Sequence, residues 1–219
     1  MKKKITTRVA GYLFVVYYLV GLVGLSLPGT RNVFISLMPL SLLLSTAVLL
    51  LFHRHWRSND VLVLIAIAIT GYLIEVVGVL TGHVFGTYWY GNALGTQVFD
   101  TPLIIGINWM MLVYCTFAIM ESTRLFWPVK AIAAAILMVA YDAVMEPVAM
   151  RLDMWNWETW HWEYVLAPIR NYQAWFIISL LLLTAMHLSR IRTGNLVAPW
   201  LFWVQFIFFL TLNLTLRIF

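Results

Sequence analysis

Long apolar runs separated by short polar breaks dominate the chain. They cover residues 9–27, 33–52, 61–81, 102–120, 128–149, 174–189 and 198–216. Each is close to the roughly 20 residues that an α-helix needs to cross a hydrocarbon core about 30 Å thick. The pattern therefore predicts an all-α, polytopic transmembrane helical bundle of about seven spans, forming a single domain over residues 1–219. No internal repeat or low-complexity linker divides it. Two of the breaks are long, residues 82–101 and 150–173.

Composition agrees with a membrane setting. Hydrophobic residues make up 63% and charged residues 11% of the chain, whereas soluble domains carry about 25% charged residues. The net charge of +5 does not point to nucleic acid, because the basic residues lie between apolar runs, as topology signals do. Lys2, Lys3, Lys4, Arg8, Arg54, Arg57, Arg124, Lys130, Arg190 and Arg192 fall on one side; Arg31, Arg151, Arg170 and Arg217 fall on the other. The richer side is expected to be cytoplasmic. The N-terminus is then inside and the C-terminus outside, in a multi-pass protein of the cell inner (cytoplasmic) membrane. The first residues resemble the start of a signal peptide, but no small-residue cleavage site follows Leu27, so this run reads as a retained span. The single cysteine, Cys115, cannot form an intrachain disulfide.

Three acidic residues interrupt the apolar runs: Glu75, Asp142 and Glu146. A charge at the bilayer centre costs about 2.5–3.5 kcal/mol, so such residues face the bundle interior and mark function. With the expected orientation, these three and Asn108 fall at similar depth in the outer half, which suggests one cavity. Gly71, Glu75, Gly78 and Gly82 share a helix face. Small residues allow another backbone to approach closely, so that face is expected to look inward. Asp142 and Glu146, four residues apart, stack on one face and repel if both are charged. One of the group should hold a proton, giving a carboxylic acid beside a carboxylate. In an aromatic, apolar cavity this pair suits protonation of an unactivated alkene, with the cation stabilised by the remaining carboxylate and by ring faces.

Both long breaks are aromatic, with Phe85, Tyr88, Trp89, Tyr90 and Phe99 in the first and Trp155, Trp157, Trp160, Trp162, Tyr164 and Tyr172 in the second. They read either as an interfacial belt or as a lid over a hydrophobic ligand. His53 and His55 read as interfacial anchors, His161 and His187 as surface or interface residues, and His83 as a candidate site residue near Glu75. Arg151 and Arg170 read as counter-ions for the acids or as snorkelling anchors.

The segment from Gly71 to Gly91, GYLIEVVGVLTGHVFGTYWYG, runs on through Leu94, Gly95 and Pro102 to Trp109. It resembles the E-x-x-G-x-x-x-G-x-x-F-G-x-Y-x-Y…LG…P…W pattern of the carotenoid biosynthesis membrane family that includes carotenoid 1,2-hydratases of the bisanhydrobacterioruberin hydratase type. DAVMEPVAMRLDMWNW, Asp142–Trp157, resembles that family's D-x-x-x-[DE]-P-V…W-x-W block. Residues 168–176, with Asn171 and Trp175, resemble its P-x-x-N-[YF]-x-x-W-F block. The resemblance implies addition of water across the C1–C2 double bond of an acyclic carotenoid end group such as that of lycopene, by a hydro-lyase with no cofactor and no metal. It puts Glu75, Asp142 and Glu146 at the acidic positions. Asn108, Asn171, Tyr88, Trp109, Trp155, Trp175 and His83 are the expected substrate- or water-binding residues. Expected partners are the bilayer, a lipophilic carotenoid and other enzymes of carotenoid synthesis.

In the expected mechanism Glu75 or Asp142 protonates C2, a tertiary cation forms at C1, and Glu146 accepts a proton from water held by Asn108 and Asn171. A lycopene-type cyclase would use the same protonation and differ in whether water is admitted. A prenyltransferase is disfavoured, since Asp142-x-x-x-Glu146 stands alone and few basic residues lie near it. No lysine occurs in the last run, which excludes a retinal Schiff base there. A carotenoid carrier or transporter remains, although no inverted repeat supports it.

Overall fold

The computed structural model describes residues 2–158 and 167–218. The described residues form α1 (Lys2–Ser26), α2 (Pro28–Ser36), α3 (Met38–Leu51), α4 (Ser58–Thr81), α5 (Ile104–Glu121), α6 (Trp127–Arg151), α7 (Ile169–Leu188) and α8 (Ala198–Ile218). Six of these are each long and apolar enough to cross a membrane; α2 and α3, bent by 57° at their break, form either a broken seventh span or a re-entrant loop. The fold is the expected all-α polytopic bundle. The run read as one span over 33–52 is the broken one. Pro39, in the first turn of α3, has no N–H to bond the Ile35 carbonyl, and its ring crowds that carbonyl, so a continuous helix is interrupted at Leu37.

Helix α5 is the hub, with α3, α4, α6, α7 and α8 packed around it. It is hydrophobic on all sides because all its sides are buried. Helix α4 shows the reverse of a soluble amphipathic helix. Leu62, Ile65, Ile69, Leu73, Val77 and Leu80 face outward, while Leu64, Ile67, Gly71, Glu75 and Gly78 face the bundle. Lipid solvates the outward apolar side chains, and the glycines and the acid are kept inside.

The two long breaks are partly ordered against each other. β1 (Tyr88–Tyr90) pairs antiparallel with β4 (Trp155–Trp157), and β2 (Gln97–Val98) pairs with β3 (Thr101–Pro102). Gly82 ends α4 with a φ of 65°, its N–H bonded to the Gly78 carbonyl in the left-handed cap that glycine tolerates best. The β1–β4 ribbon roofs one end of the bundle. Trp160, His161, Trp162 and Tyr164 lie outside the described residues.

At the opposite end His53 corrects its reading as an interfacial anchor. It is buried, with Nδ1 2.9 Å from the Tyr114 hydroxyl and Nε2 3.4 Å from Asp60. Its ring packs on Trp56 at 4.1 Å. Burial holds its pKa below the ordinary histidine value, against the opposing pull of Asp60. Asp60 also takes Arg57, and Asn195 donates to the Leu49 carbonyl and to Tyr114. This network ties the segment between α3 and α4 to α5 and to the start of α8.

Candidate active site

The inward face of α4 builds the first half of the site. Trp109, from α5, sits on Gly71, where a Cβ would come within 2.5 Å of the Trp109 Cβ. From that seat the indole N–H donates to Glu75 Oε1 at 2.9 Å. Phe85 and Tyr88 cover Gly78, where a Cβ would lie 2.6 Å from the Phe85 ring and 3.1 Å from the Tyr88 hydroxyl. The Tyr88 and Tyr90 hydroxyls donate to Glu75 Oε2 at 2.5 and 2.8 Å. Burial, and then the neighbouring Glu75, raise both phenols well above the ordinary tyrosine value, so they stay protonated donors. The glycines thus face inward as expected, but at Gly71 and Gly78 they admit aromatic side chains rather than a backbone. The close backbone approach is at Gly106, whose Cβ would lie 2.4 Å from the Ala68 carbonyl oxygen.

Helix α6 supplies the second half. Asp142 and Glu146 point the same way, and Asn171, in the first turn of α7, bridges them. Its side-chain N–H₂ donates to Asp142 Oδ2 at 2.6 Å and to Glu146 Oε1 at 3.4 Å. The indoles of Trp155 and Trp157 both donate to Glu146 Oε2, at 3.0 and 2.9 Å. Asp142 Oδ1 is buried and has no hydrogen-bond partner among the described residues. The β1–β4 register places Tyr88 opposite Trp157 and Tyr90 opposite Trp155, so one face of the ribbon presents four donors downward. Trp89 on the other face is half exposed. The aromatic loops are therefore neither a plain interfacial belt nor only a cover: they supply the hydrogen bonds of the acids.

These groups enclose a chamber of about 30 Å³ lined by Glu75, Asp142, Glu146 and Asn108, with Asn171, Tyr88, Trp109, Trp155 and Trp175 also on its walls. That is room for about one water molecule. Trp175 stacks on Trp109 with centroids 4.3 Å apart. Beside the chamber lies a second cavity of about 380 Å³, mainly apolar. Ile105, Asn108, Met145 and Trp155 line both. Asn108 makes no hydrogen bond to a described residue, so its amide is available at the junction of the two cavities.

Nine of the ten residues expected at the site meet in the chamber. His83 does not: it is exposed and lines neither cavity. Arg151 and Arg170 are also exposed and do not line the chamber. Asn171 commits its N–H₂ to the two acids rather than to water. Tyr90, Trp157 and Phe85 line the chamber without having been assigned to it. The alternation Tyr88-x-Tyr90 and Trp155-x-Trp157 is the signal for two of them, since residues two apart share a strand face.

The carotenoid biosynthesis protein family matches residues 35–219. This chain belongs to that family. The match covers every acid of the chamber and begins after α1. A bisanhydrobacterioruberin hydratase from Haloarcula japonica is 27% identical over 126 residues, which is 53% of this chain. The similar segment spans 41% of that hydratase's length. No solved structure matches the chain.

The glycine seats of this family member are open to a direct test. Gly78→Ala forces Phe85 and Tyr88 to shift, and overpacking of this kind costs about 1–3 kcal/mol. Its thermal midpoint in detergent is expected to fall by several degrees. Gly29→Ala, where a Cβ meets nothing within 4 Å, is expected to leave the midpoint unchanged.

Proposed function

We propose that this protein is a carotenoid hydratase that adds water to the C1–C2 double bond of an acyclic carotenoid end group. The observation that carries the reading is a water-sized chamber, walled by three carboxyl groups, sharing Asn108 and Met145 with a larger, mainly apolar cavity. The apolar cavity suits the polyene, and the chamber suits the water.

The hydrogen-bond pattern supports distinct roles. Glu75 accepts from three donors and Glu146 from three, as carboxylates do. Asp142 accepts from one and leaves Oδ1 bare, which suits a carboxylic acid whose O–H faces the reacting carbon. Asp142 transfers this proton to C2, and the π electrons form the new C–H bond. The cation at C1 is tertiary, hence water adds there. Glu75 and the Trp109 and Trp175 rings stabilise the cation electrostatically. As the water oxygen bonds to C1, its proton passes to Glu146. Return of that proton to Asp142, one helical turn away, restores the site. Asn108 orients the water or the alkene, and Asn171 positions the two acids. No cofactor takes part in this scheme. The charge distribution supports placing the roofed end outside and the N-terminus in the cytoplasm of a cell whose inner membrane holds the protein, alongside other enzymes of carotenoid synthesis.

Protein in lipid nanodiscs, given an acyclic carotenoid in ¹⁸O-labelled water and no membrane potential, tests the reading. The expected product is a tertiary alcohol with one ¹⁸O per new hydroxyl. An isomeric ringed product without ¹⁸O means cyclisation, and unchanged pigment at all times means a carrier.

A further inference from the structure

The apolar cavity reaches the lipid-facing surface between α1 and the bend from α2 into α3. Its wall on α1 comprises Tyr17, Tyr18, Val20, Gly21 and Leu25, and facing them are Phe34 of α2 and Leu37, Met38, Pro39, Ser41 and Leu42 around the bend into α3. Tyr17, Val20 and Leu37 line the cavity and yet are 41%, 56% and 44% exposed. A side chain can do both only at an opening.

Two contacts bound this opening. At one edge Phe34 packs on Gly24, where a Cβ would come within 2.3 Å of the ring, and the Thr30 hydroxyl donates to the Gly24 carbonyl at 2.8 Å. At the other edge the hydroxyls of Tyr18 and Ser45 are 2.9 Å apart, linking α1 to α3. Gln205 donates to Tyr18 at 2.5 Å and accepts from Tyr141 at 3.3 Å, which closes the cavity floor with a satisfied polar chain. Tyr18 to Gly24 is six residues, or about 9 Å along a helix. The 57° bend at Leu37 turns α2 away from the line of α3. At the roofed end, by contrast, Leu94, Leu152, Met154 and Trp155 close the cavity, and all four are buried.

We infer that this window between α1 and the α2–α3 bend is a lateral portal through which one end of a polyene enters from the bilayer while the rest of the chain stays in lipid. This rests on the proposed function for the identity of the ligand. Cavity size supports it independently. About 380 Å³ lies near the lower limit for sites that hold drug-sized ligands, about 300–1,000 Å³, and a C40 polyene is longer than such a site. Its remainder needs a continuous apolar exit, and the window leads into the acyl chains. The portal also means that the two ends of a symmetric carotenoid react in separate visits, with release between them.

The test is the rate at which lycopene, delivered from carotenoid-loaded vesicles, quenches tryptophan fluorescence of the protein in nanodiscs. This reads binding whether or not hydration follows. Gly21→Leu adds bulk to the α1 wall just inside the window, where its Cβ meets only the Phe208 ring at an ordinary 3.5 Å. Leu37→Trp narrows the opposite lip from an exposed position. Both are expected to slow quenching by tenfold or more, and Leu37→Ala is expected to speed it. Trp89→Ala, on the outer face of the roof, is expected to leave the rate as in the natural protein. Unchanged rates in both narrowing variants, each checked for an unaltered thermal midpoint, overturn the portal. So does a rate that responds to Trp89→Ala and not to the lips. Quenching that follows this pattern without any hydrated product preserves the portal and refutes the proposed reaction.

Discussion

Replacing Asp142 with asparagine is expected to reduce hydration by about 10²–10⁴-fold, the range that a positioned general acid contributes. The amide is nearly the size of the acid, and its oxygen can keep the 2.6 Å bond from Asn171. Packing around this fully buried residue should therefore survive, and the thermal midpoint should stay close to that of the natural protein. What disappears is the O–H that the bare Oδ1 position offers to C2. Glu146→Gln should lose turnover as well, since an amide cannot accept the proton from water, while its oxygen still receives the Trp155 and Trp157 indoles. Measuring turnover and thermal midpoint together in nanodiscs checks both. Full activity in Asp142→Asn overturns the assignment of the acid, whatever happens to Glu146.

Glu75→Ala is expected to be the most damaging single change to stability. It removes the acceptor for the hydroxyls of Tyr88 and Tyr90 and for the indole of Trp109. A buried donor left unsatisfied costs about 1–3 kcal/mol, so three together threaten a domain whose whole stability is about 5–15 kcal/mol. The lost cation stabilisation would reduce turnover in parallel. Glu75→Gln should fall between, because its oxygen can accept some of these donors while its N–H₂ meets others head-on. Denaturation in detergent, followed by tryptophan emission, checks the order: natural protein, then Glu75→Gln, then Glu75→Ala. A Glu75→Ala protein as stable as the natural one would show that Glu75 does not anchor the roof.

The chamber was legible in the sequence to an unusual degree, and the reason is the solvent. In a bilayer each intramembrane acid is costly enough that its presence alone points inward, and helical spacing then assigns its face. Glu75 with Gly71 and Gly78, and Asp142 with Glu146, could be grouped on those grounds. His83 was misread because nearness along the chain was taken for nearness in space. Gly82 ends α4 just before it, and the chain turns so that Phe85, not His83, comes back over Gly78. His53 was misread for the opposite reason: its partners Tyr114 and Asp60 come from two helices, and no local spacing announces them.

Sequence alone determined the spans, the inward faces of α4 and α6 and the set of acids, because each follows from the cost of polar groups in hydrocarbon and from a helical period of 3.6 residues. Only the tertiary structure decided how the acids differ. Asn171, Trp109, the Tyr88–Tyr90 strand and the Trp155–Trp157 strand converge from four separate stretches of chain, and their donors fall unequally: three on Glu75, three on Glu146, one on Asp142. The opening between α1 and α3 is also tertiary, since it depends on where two non-adjacent helices touch and where they do not. Hydrogen bonds and gaps between distant elements carry no period along the chain, so no reading of spacing could assign them.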